Sequence, residues 1–222
     1  MSDETTETRR YRKRRRAESE RRTRERITEA AVKLHGTVGP ARTTVSGIAR
    51  EAGVQRATIY RHFPTEEALF EACSSHYFAS HPRPEPDRWA AIADPGERLS
   101  RALLDLYRWY RSTEQMLERT SRDASLVEPM ADAVNAFRAY VDAVAEAILR
   151  GRPERGAARR RVTAAVRHAV SFATWQSLAR EQGLDDPEAV ALMAALVEAA
   201  GGARRAVNRR AGLARSTSTA AR

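Results

Sequence analysis

The sequence predicts an all-α protein that consists of a small N-terminal three-helix domain and a larger helical domain. Three observations lead to this prediction. Apolar residues recur at a helical spacing through most of the chain, no segment alternates as a strand does, and glycine or proline separates the apolar segments. The expected organisation is a basic disordered arm at 1–20, the three-helix domain at 21–66, the larger domain at 67–208 and a disordered tail at 209–222.

The basic residues are concentrated at the N-terminus. The 222-residue chain has 39 basic and 29 acidic side chains, which gives a formal net charge of +10. Residues 1–63 hold 16 of the basic and 8 of the acidic side chains, and the segment 9–16 reads RRYRKRRR. A basic module joined to a nearly neutral remainder is typical of a protein that meets a polyanion through one domain.

Several classes of protein are excluded by composition. No apolar run approaches the roughly 20 residues that cross a bilayer, so no integral membrane protein is expected. The charged N-terminus lacks the apolar core of a secretory signal, and we expect a cytoplasmic protein without a membrane partner. The single cysteine, Cys73, cannot form an internal disulfide or a cysteine zinc site, and it is expected to be a core residue.

The sequence offers no catalytic or cofactor site. It contains no glycine-rich phosphate loop and no defensible set of nucleophile, base and acid. His76 and His81 have no carboxylate or thiol partner at metal-ligand spacing. We therefore predict no enzyme activity, no cofactor and no metal.

The first four helices are separated by glycine, proline and capping residues. The first is expected from Thr23, with Ile27 and Leu34 on its apolar face, and it ends before Gly39-Pro40. The second begins after Thr43 or Thr44, and Gly53 ends it. The third occupies 55–63 and stops before Pro64, and Thr65 caps the fourth.

Proline and glycine predict a loop at 80–96, and helices return after it. One apolar stripe runs from Leu99 to Tyr110 and another from Met130 to Leu149. Two further helices are expected at 157–181 and 187–200, with Asp186 as the N-cap of the second.

The segment TVSGIAREAGVQRATIYRHF at 44–63 has the spacing of a helix-turn-helix. Ala49 is small where a second helix crosses the first, and Gly53 tolerates the positive φ of the turn. Ile59 is placed to pack back on the first helix. An ordinary helical hairpin shows the same three residue types, but here the exposed positions carry hydrogen-bonding side chains that reach phosphates and base edges. These are Gln55, Arg56, Thr58, Tyr60, Arg61 and His62.

GVQRATIYRHFPTEEALF at 53–70 resembles the signature of the tetracycline-repressor (TetR/AcrR) family of bacterial transcriptional regulators, and the likeness runs from about Arg22 to Phe70. The resemblance implies a homodimer that binds a palindromic operator on double-stranded DNA and a small-molecule effector that weakens this binding. It also implies that Phe63 is structural, along with Ala49, Gly53 and Ile59.

The same resemblance assigns the DNA contacts. Thr44, Thr58 and Arg61 would touch phosphate, Gln55, Arg56 and His62 would face the major groove, and Tyr60 would do both. Glu66 departs from the family, whose members often carry lysine shortly after the proline to pair with phosphate. Backbone N–H groups at 65–67 remain available to a phosphate, and the arm at 9–16 would compensate by reaching into the minor groove.

Aromatic residues are concentrated in the larger domain. With the resemblance, they predict a ligand pocket walled by rings, whereas by themselves they fit an ordinary helical core equally well. The predicted pocket residues are Tyr107, Tyr110, Met116, Phe137, His168, Phe172 and Trp175.

The last helix, with AVALMAALVEAA at 189–200, is apolar nearly all round. Such a helix lies deep in the monomer or packs against a second copy. The resemblance favours a second copy, so Val166, Val170, Leu192 and Leu196 are the predicted dimer contacts.

The sequence thus predicts a cytoplasmic, nucleoid-associated transcription regulator, in particular a ligand-released repressor. An activator or an architectural DNA-binding protein without a ligand remains an alternative. A helical adaptor or enzyme is the alternative from another class, and sequence-specific DNA binding would separate it from a regulator.

Overall fold

A computed structural model describes the backbone of residues 3–216 and the side chains of residues 9–202. Within that range the protein is helical and no strand occurs. Its α-helices are α1 (Asp3–Thr37), α2 (Val45–Ala52), α3 (Arg56–His62), α4 (Glu66–Ser80), α5 (Pro86–Ala90), α6 (Pro95–Asp123), α7 (Ala131–Leu149), α8 (Gly156–Ala169), α9 (Phe172–Gln176) and α10 (Asp186–Ser216). Short 3-10 helices lie at Pro40–Arg42 and Glu128–Met130, and a π-helix lies at Ser177–Glu181.

The chain divides into two compact units. The N-terminal unit comprises the chain as far as Pro82 together with Thr113–Asn135. The C-terminal unit comprises Arg83–Ser112 and the chain from Ala136 onward. The expected boundary between residues 66 and 67 is therefore wrong, because Leu69 and Cys73 of α4 are buried in the same core as the helix-turn-helix.

The N-terminal unit is built on α1, which packs against α2 and α4. Its core is formed by apolar side chains from the first four helices, spaced so that each helix turns one face inward. The largest contributors are Ile27, Ile48, Ile59, Phe63 and Leu69.

The N-terminal arm differs from its prediction. Residues 3–20 belong to α1, which continues without a break to Thr37, and they are not a disordered segment. Ion pairs at i,i+4 spacing support this helix: Arg16 Nε lies 3.1 Å from Glu20 Oε1, and Arg21 Nε lies 4.0 Å from Glu25 Oε1. At the other end, α10 continues through 209–216 of the predicted tail, and residues 217–222 lie outside the described range.

The proline-rich stretch at 80–96 is not wholly a loop. Pro86 opens the short helix α5, where a missing N–H is tolerated because the first helical turn leaves that group unpaired. Pro95 opens α6 in the same way. Trp89 of α5 is buried, and its indole Nε1 donates to Asp105 Oδ2 at 3.0 Å.

In the C-terminal unit, α8 packs along α10. The helix predicted over 157–181 is interrupted after Ala169, and α9 starts only at Phe172. Two buried tyrosines of α6 take up the carbonyl groups at this break: Tyr107 Oη donates to Ala169 O at 2.8 Å and Tyr110 Oη to Val170 O at 2.7 Å. Carbonyls released by the interruption thereby remain paired.

None of the helices in the described part of the chain combines the length and the apolar character that a bilayer crossing needs.

Candidate nucleic-acid interface

The turn between α2 and α3 is fixed by a cap at each end of α2. Thr44 is the N-cap, and its Oγ1 accepts from Gly47 N at 3.0 Å. Gly53 ends the helix with φ 63° and ψ 41°, the left-handed conformation that glycine adopts without penalty. Val54 N then donates to Ala49 O at 2.9 Å, which directs the chain into α3.

The recognition helix α3 places polar and apolar residues on opposite sides. Ile59 and Phe63 are buried in the core, and Ala49 is buried where α2 meets it. Gln55, the N-cap, has no side-chain capping bond, so its amide points outward free of the backbone. Arg56 and Arg61 are exposed, and the Tyr60 side chain is 48% exposed.

Two of the predicted contact residues are less available. Thr58 is half-buried. Within the described residues, His62 Nε2 is buried without a hydrogen-bond partner, and burial, followed by the neighbouring guanidinium groups of Arg61 and Arg24, lowers the imidazole pKa. The Nε2 atom of His62 is thus covered in the free protein, and the contact of His62 with the major groove stays a prediction.

Arg24 of α1 holds the C-terminal end of α3. Its Nη1 donates to His62 O at 2.6 Å, and its guanidinium lies 4.1 Å from the centre of the Phe63 ring. A cation at a helix C-terminus satisfies an otherwise unpaired carbonyl and complements the helix dipole. Arg24 thus fixes the recognition helix to α1, although nothing in the sequence distinguishes it from the many arginines around it.

The N-terminus of α4 carries acidic side chains. Thr65 caps it, with Oγ1 accepting from Ala68 N at 3.2 Å, and Glu66 and Glu67 occupy the first turn. The hydrogen bond to its own backbone N–H, followed by that from Thr65, lowers the pKa of the Glu67 carboxyl. Two carboxylates therefore stand where the predicted phosphate contact of residues 65–67 would form, and they make this helix end unfavourable for an anion.

The segment that precedes α2 is clamped by the end of α6. Asp123 Oδ2 accepts from Ala41 N at 3.0 Å, and Arg119 Nε donates to Gly36 O at 2.9 Å. Gly39, at φ 94°, has no room for a side chain, because a Cβ there would overlap Arg122 Nη2 and Asp123 Oδ2. This clamp was missed at the sequence level because its partners lie more than 80 positions apart.

A cavity of about 500 Å³ lies in the N-terminal unit. Its lining includes Thr44, Arg56 and Tyr60 of the helix-turn-helix, together with His35 of α1 and Phe70 of α4. The rings of His35 and Phe70 are stacked, with centroids 4.8 Å apart. Burial lowers the pKa of His35 to about 4, so this imidazole is neutral at physiological pH.

In the C-terminal unit, most of the predicted pocket residues form one aromatic cluster. Tyr110 meets Phe172 edge-on at 5.3 Å, and Phe172 stacks on Trp175 at 5.6 Å. Tyr107 and Trp175 are fully buried. Phe137 is connected to the cluster by Trp109, whose ring centroid lies 6.3 Å from that of Phe137. Burial raises the pKa of the phenols of Tyr107 and Tyr110.

Two predicted pocket residues lie elsewhere. Met116 belongs to the N-terminal unit and packs beside Gly36 of α1. His168 is exposed, with Thr174 Oγ1 3.4 Å from its ring nitrogens. Neither residue is among the stacked rings of the aromatic cluster, and their place in a ligand pocket stays a prediction.

Sequence reasoning did not identify the polar partner of the aromatic cluster. Asp186, the predicted N-cap, is buried at the start of α10 and accepts from Arg111 Nη2 at 2.7 Å and from Trp175 Nε1 at 3.2 Å. Burial opposes ionisation of this carboxyl, but the hydrogen bonds from Arg111 and Trp175 hold its pKa below the ordinary value.

The four predicted dimer residues divide into two pairs. Val166 and Val170 are fully buried inside the chain's own core, and they are therefore not available to a second copy. Leu192 and Leu196 of α10 are 41% and 51% exposed. Alanines 191, 195 and 199 lie beside them and are also exposed. The prediction is corrected for the two valines, and an apolar stripe on α10 remains.

Among the residues with described side chains, no group of three or more His, Cys, Asp or Glu residues is placed to hold an ion. The Nδ1 atom of His81 lies 3.1 Å from Tyr77 O.

Comparison with known proteins agrees with this architecture. The family model of bacterial regulatory proteins of the tetR family matches residues 27–73. A 49-residue stretch is 45% identical to the nucleoid occlusion factor SlmA of Marinobacter nauticus. It spans 22% of this chain and only 25% of the length of that protein.

Solved structures extend the likeness to most of the chain at the level of the fold. A TetR-like transcriptional regulator from Rhodococcus sp. RHA1 is similar with a TM-score of 0.57 and 17% identity, over 80% of this chain and 94% of that one. NalD, the secondary repressor of the MexAB-OprM multidrug efflux pump in Pseudomonas aeruginosa, is similar with a TM-score of 0.55 and 20% identity. The similarity covers 82% of this chain and 97% of that one. The helix-turn-helix at 27–73 is thus similar in sequence to the tetR family of bacterial regulatory proteins, and the helical architecture of most of the chain is similar to that of these regulators.

Proposed function

We propose that this regulator is a repressor that binds a palindromic operator as a homodimer and is released by a small molecule. The observation that carries the proposal is the outward set of hydrogen-bonding side chains on α3, mounted on a buried apolar face. Gln55, Arg56 and Tyr60 are offered to base edges, and Thr44, Thr58 and Arg61 to phosphates.

The size of α3 fits this role. Its seven residues make a helix about 10 Å long, and an α-helix about 10–12 Å across fits a major groove about 12 Å wide. Arginine recognises guanine through two hydrogen bonds in that groove, and the glutamine amide recognises adenine in the same manner. Arg56 and Gln55 at the start of α3 supply both side-chain types where a recognition helix approaches the bases.

The apolar stripe on α10 supports a homodimer. Leu192 and Leu196 remain exposed after the chain has buried its own core, and small alanine side chains beside them allow close approach of a second helix. A twofold dimer presents two copies of α3, so the operator it recognises has two inverted half-sites.

An effector would act through the aromatic cluster of the C-terminal unit. Phe137 and Phe172 are its half-buried members, which makes them the side chains that a small apolar molecule would displace first. Such a molecule releases the DNA only if it binds the DNA-incompetent state more tightly than the competent one.

A second candidate is a DNA-binding protein of the nucleoid that acts without an effector. The burial of the aromatic cluster favours it, because Tyr107, Tyr110 and Trp175 are fully buried and use their polar atoms within the chain. The local similarity to a nucleoid occlusion factor points the same way. In both candidates the protein works on chromosomal DNA in the cytoplasm and carries out no catalytic step.

The test is selection of duplexes from a random-sequence library with the full-length protein, followed by titration of the recovered duplex and a scrambled one. We expect an inverted repeat that binds at least about 10³-fold more tightly than the scrambled duplex. Arg56→Ala and Tyr60→Ala should each weaken only the specific binding, by about 1–3 kcal/mol.

Arg138→Ala is the matched control, because it removes an exposed arginine from the C-terminal unit and should leave the specific affinity unchanged. Recovery of no preferred sequence would contradict the proposal and favour the adaptor. A preferred sequence whose affinity no compound library alters would favour the effector-free candidate.

A further inference from the structure

The N-terminal part of α1 over residues 9–22 is exposed at every position, and the first fully buried side chain among the described residues of this helix is Ile27. At 1.5 Å per residue these 14 residues extend about 21 Å beyond the point where the helix joins its domain. A helix without tertiary contacts is only marginally stable in water, so this extension needs a partner to be fixed in place.

The extension leaves the domain beside the DNA-facing surface. Arg24, near the last exposed turn of α1, donates to His62 O and lies over the Phe63 ring. His62 and Phe63 are at the C-terminal end of α3. The exposed part of α1 therefore begins near the C-terminal end of α3.

The charge of the extension matches a polyanion. Seven of the eight residues at 9–16 are basic and none is acidic. Because they are almost consecutive, they occupy every side of the helix, so no side can be buried against protein. Like charges at i,i+4, such as Arg10 with Arg14 and Arg12 with Arg16, oppose this helix unless an anion neutralises them.

The helical form decides where such an element fits on DNA. An α-helix with its side chains is about 10–12 Å across, which is twice the roughly 6 Å width of the minor groove and close to the roughly 12 Å width of the major groove. Insertion of an extended arm into the minor groove, which the basic sequence suggested, does not suit this structure.

We propose that residues 9–22 form a second DNA-binding element, a helix that lies on the phosphates bordering the next major groove, outside the half-site held by α3. This inference rests on the proposed function. A length of about 21 Å corresponds to about 6 bp of duplex at 3.4 Å per base pair, so each protomer of the dimer covers that much flanking DNA.

Flank length gives the direct test. The selected operator is titrated as a core duplex that ends at the palindrome and as a duplex with 8 bp of arbitrary sequence added at each end. The wild-type protein should bind the longer duplex at least about tenfold more tightly and with a steeper dependence of log K on log salt, by about 0.9 for each added phosphate contact.

A charge variant and a helix-breaking variant separate the causes. The charge variant replaces four basic residues with a side chain of similar helix propensity, and it should bind both duplexes as tightly as the wild type binds the core. Ala17→Pro keeps every charge but breaks the helix between 9–16 and the domain, and it should lose the flank effect equally, whereas Ala17→Ser should keep it. The charge variant carries Arg10→Gln, Arg12→Gln, Arg14→Gln and Arg15→Gln together.

Two results would overturn the inference. The first is equal wild-type affinity for the two duplexes, and the second is a flank effect that survives Ala17→Pro, which would indicate an extended arm. Both leave discrimination between operator and scrambled DNA intact. Failure of the proposed function would instead remove that discrimination from the wild-type protein on either duplex.

Discussion

The two units of this protein use their distinctive side chains in opposite ways. In the N-terminal unit, the residues proposed to bind DNA stand outside a small apolar core, and Gln55, Arg56 and Arg61 make no contact that the fold needs. In the C-terminal unit, Tyr110 and Trp175 are themselves the core, and their polar atoms hold Val170 O and Asp186.

This difference explains why the sequence indicates a DNA-binding function for the first unit but does not indicate whether the second unit binds a ligand. An exposed arginine or tyrosine on a short helix has little structural purpose, so its presence points to a partner. A buried ring stabilises the fold whether or not a ligand ever meets it. Substitutions should therefore damage recognition without unfolding in the first unit, and unfold without affecting recognition directly in the second.

The largest expected effect comes from the apolar stripe of α10. Leu196→Arg places a charge at a side chain that is half exposed in the single chain, so the monomer should fold normally but fail to pair. Without the second copy of α3, operator affinity should fall by about 10²- to 10⁴-fold. Sedimentation velocity and operator titration measure the two consequences on the same sample.

Val166→Arg is the contrasting variant, because Val166 lies in the core of the single chain. It should unfold the C-terminal unit, which circular dichroism would detect. If Leu196→Arg still sediments as a dimer, the stripe on α10 is not the dimer interface.

The next effect concerns the clamp on the N-terminal unit. Gly39→Ala would force a Cβ into Arg122 and Asp123 at a positive φ, and we expect a loss of about 2–4 kcal/mol in the free energy of unfolding. Gly53→Ala has the same conformational penalty but open space, and it should cost only about 1–2 kcal/mol. If urea denaturation gave the two variants equal losses of unfolding free energy, Arg122 and Asp123 would be able to move aside without cost.

The buried His35 should make the stability of the N-terminal unit depend on pH. His35 has a folded-state pKa of about 4, whereas the unfolded chain takes up this proton near its ordinary pKa of about 6.5. The unfolded state thus binds more protons between these values, so the free energy of unfolding should fall by about 3 kcal/mol as pH drops from 6.5 to 4. His35→Phe keeps the ring on Phe70 and should flatten that part of the curve, and thermal unfolding across this pH range would decide.

The smallest effect is expected at the break between α8 and α9. Tyr110→Phe removes the hydroxyl that donates to Val170 O and leaves a buried carbonyl unpaired, at a cost of about 1–2 kcal/mol. Operator affinity measured well below the unfolding midpoint should not change. A reduced affinity at full folding would instead link this tyrosine to recognition.

Local signals accounted for most of the correct predictions. Thr44, Gly53, Pro64 and Thr65 mark helix ends through chemistry that acts over four residues, and the structure uses each one at or beside the expected position. The helix-turn-helix follows from them because its packing residues are close in sequence.

The wrong predictions concern contacts between residues far apart in the sequence and the structure of the basic segment. The clamp of Asp123 on Ala41 joins residues 82 positions apart, so no window of sequence reveals that 113–135 belongs with the DNA-binding helices. The basic run looked disordered because its charges repel, but it is continuous with a helix supported by Arg16–Glu20 and Arg21–Glu25 pairs. Burial of Val166 and exposure of Leu196 depend on how α8 meets α10, which helical periodicity leaves open.

Cys73 also provides a way to watch the recognition domain open. The only thiol of the chain is buried on α4 with its Sγ 3.9 Å from Thr28 O, and burial raises its pKa to about 12. A thiol reagent therefore reacts only with molecules in which the core around α1 and α4 has come apart. The labelling rate at neutral pH therefore measures how often this core opens, and a slower rate on added DNA would show, without an engineered probe, that DNA stabilises the closed core.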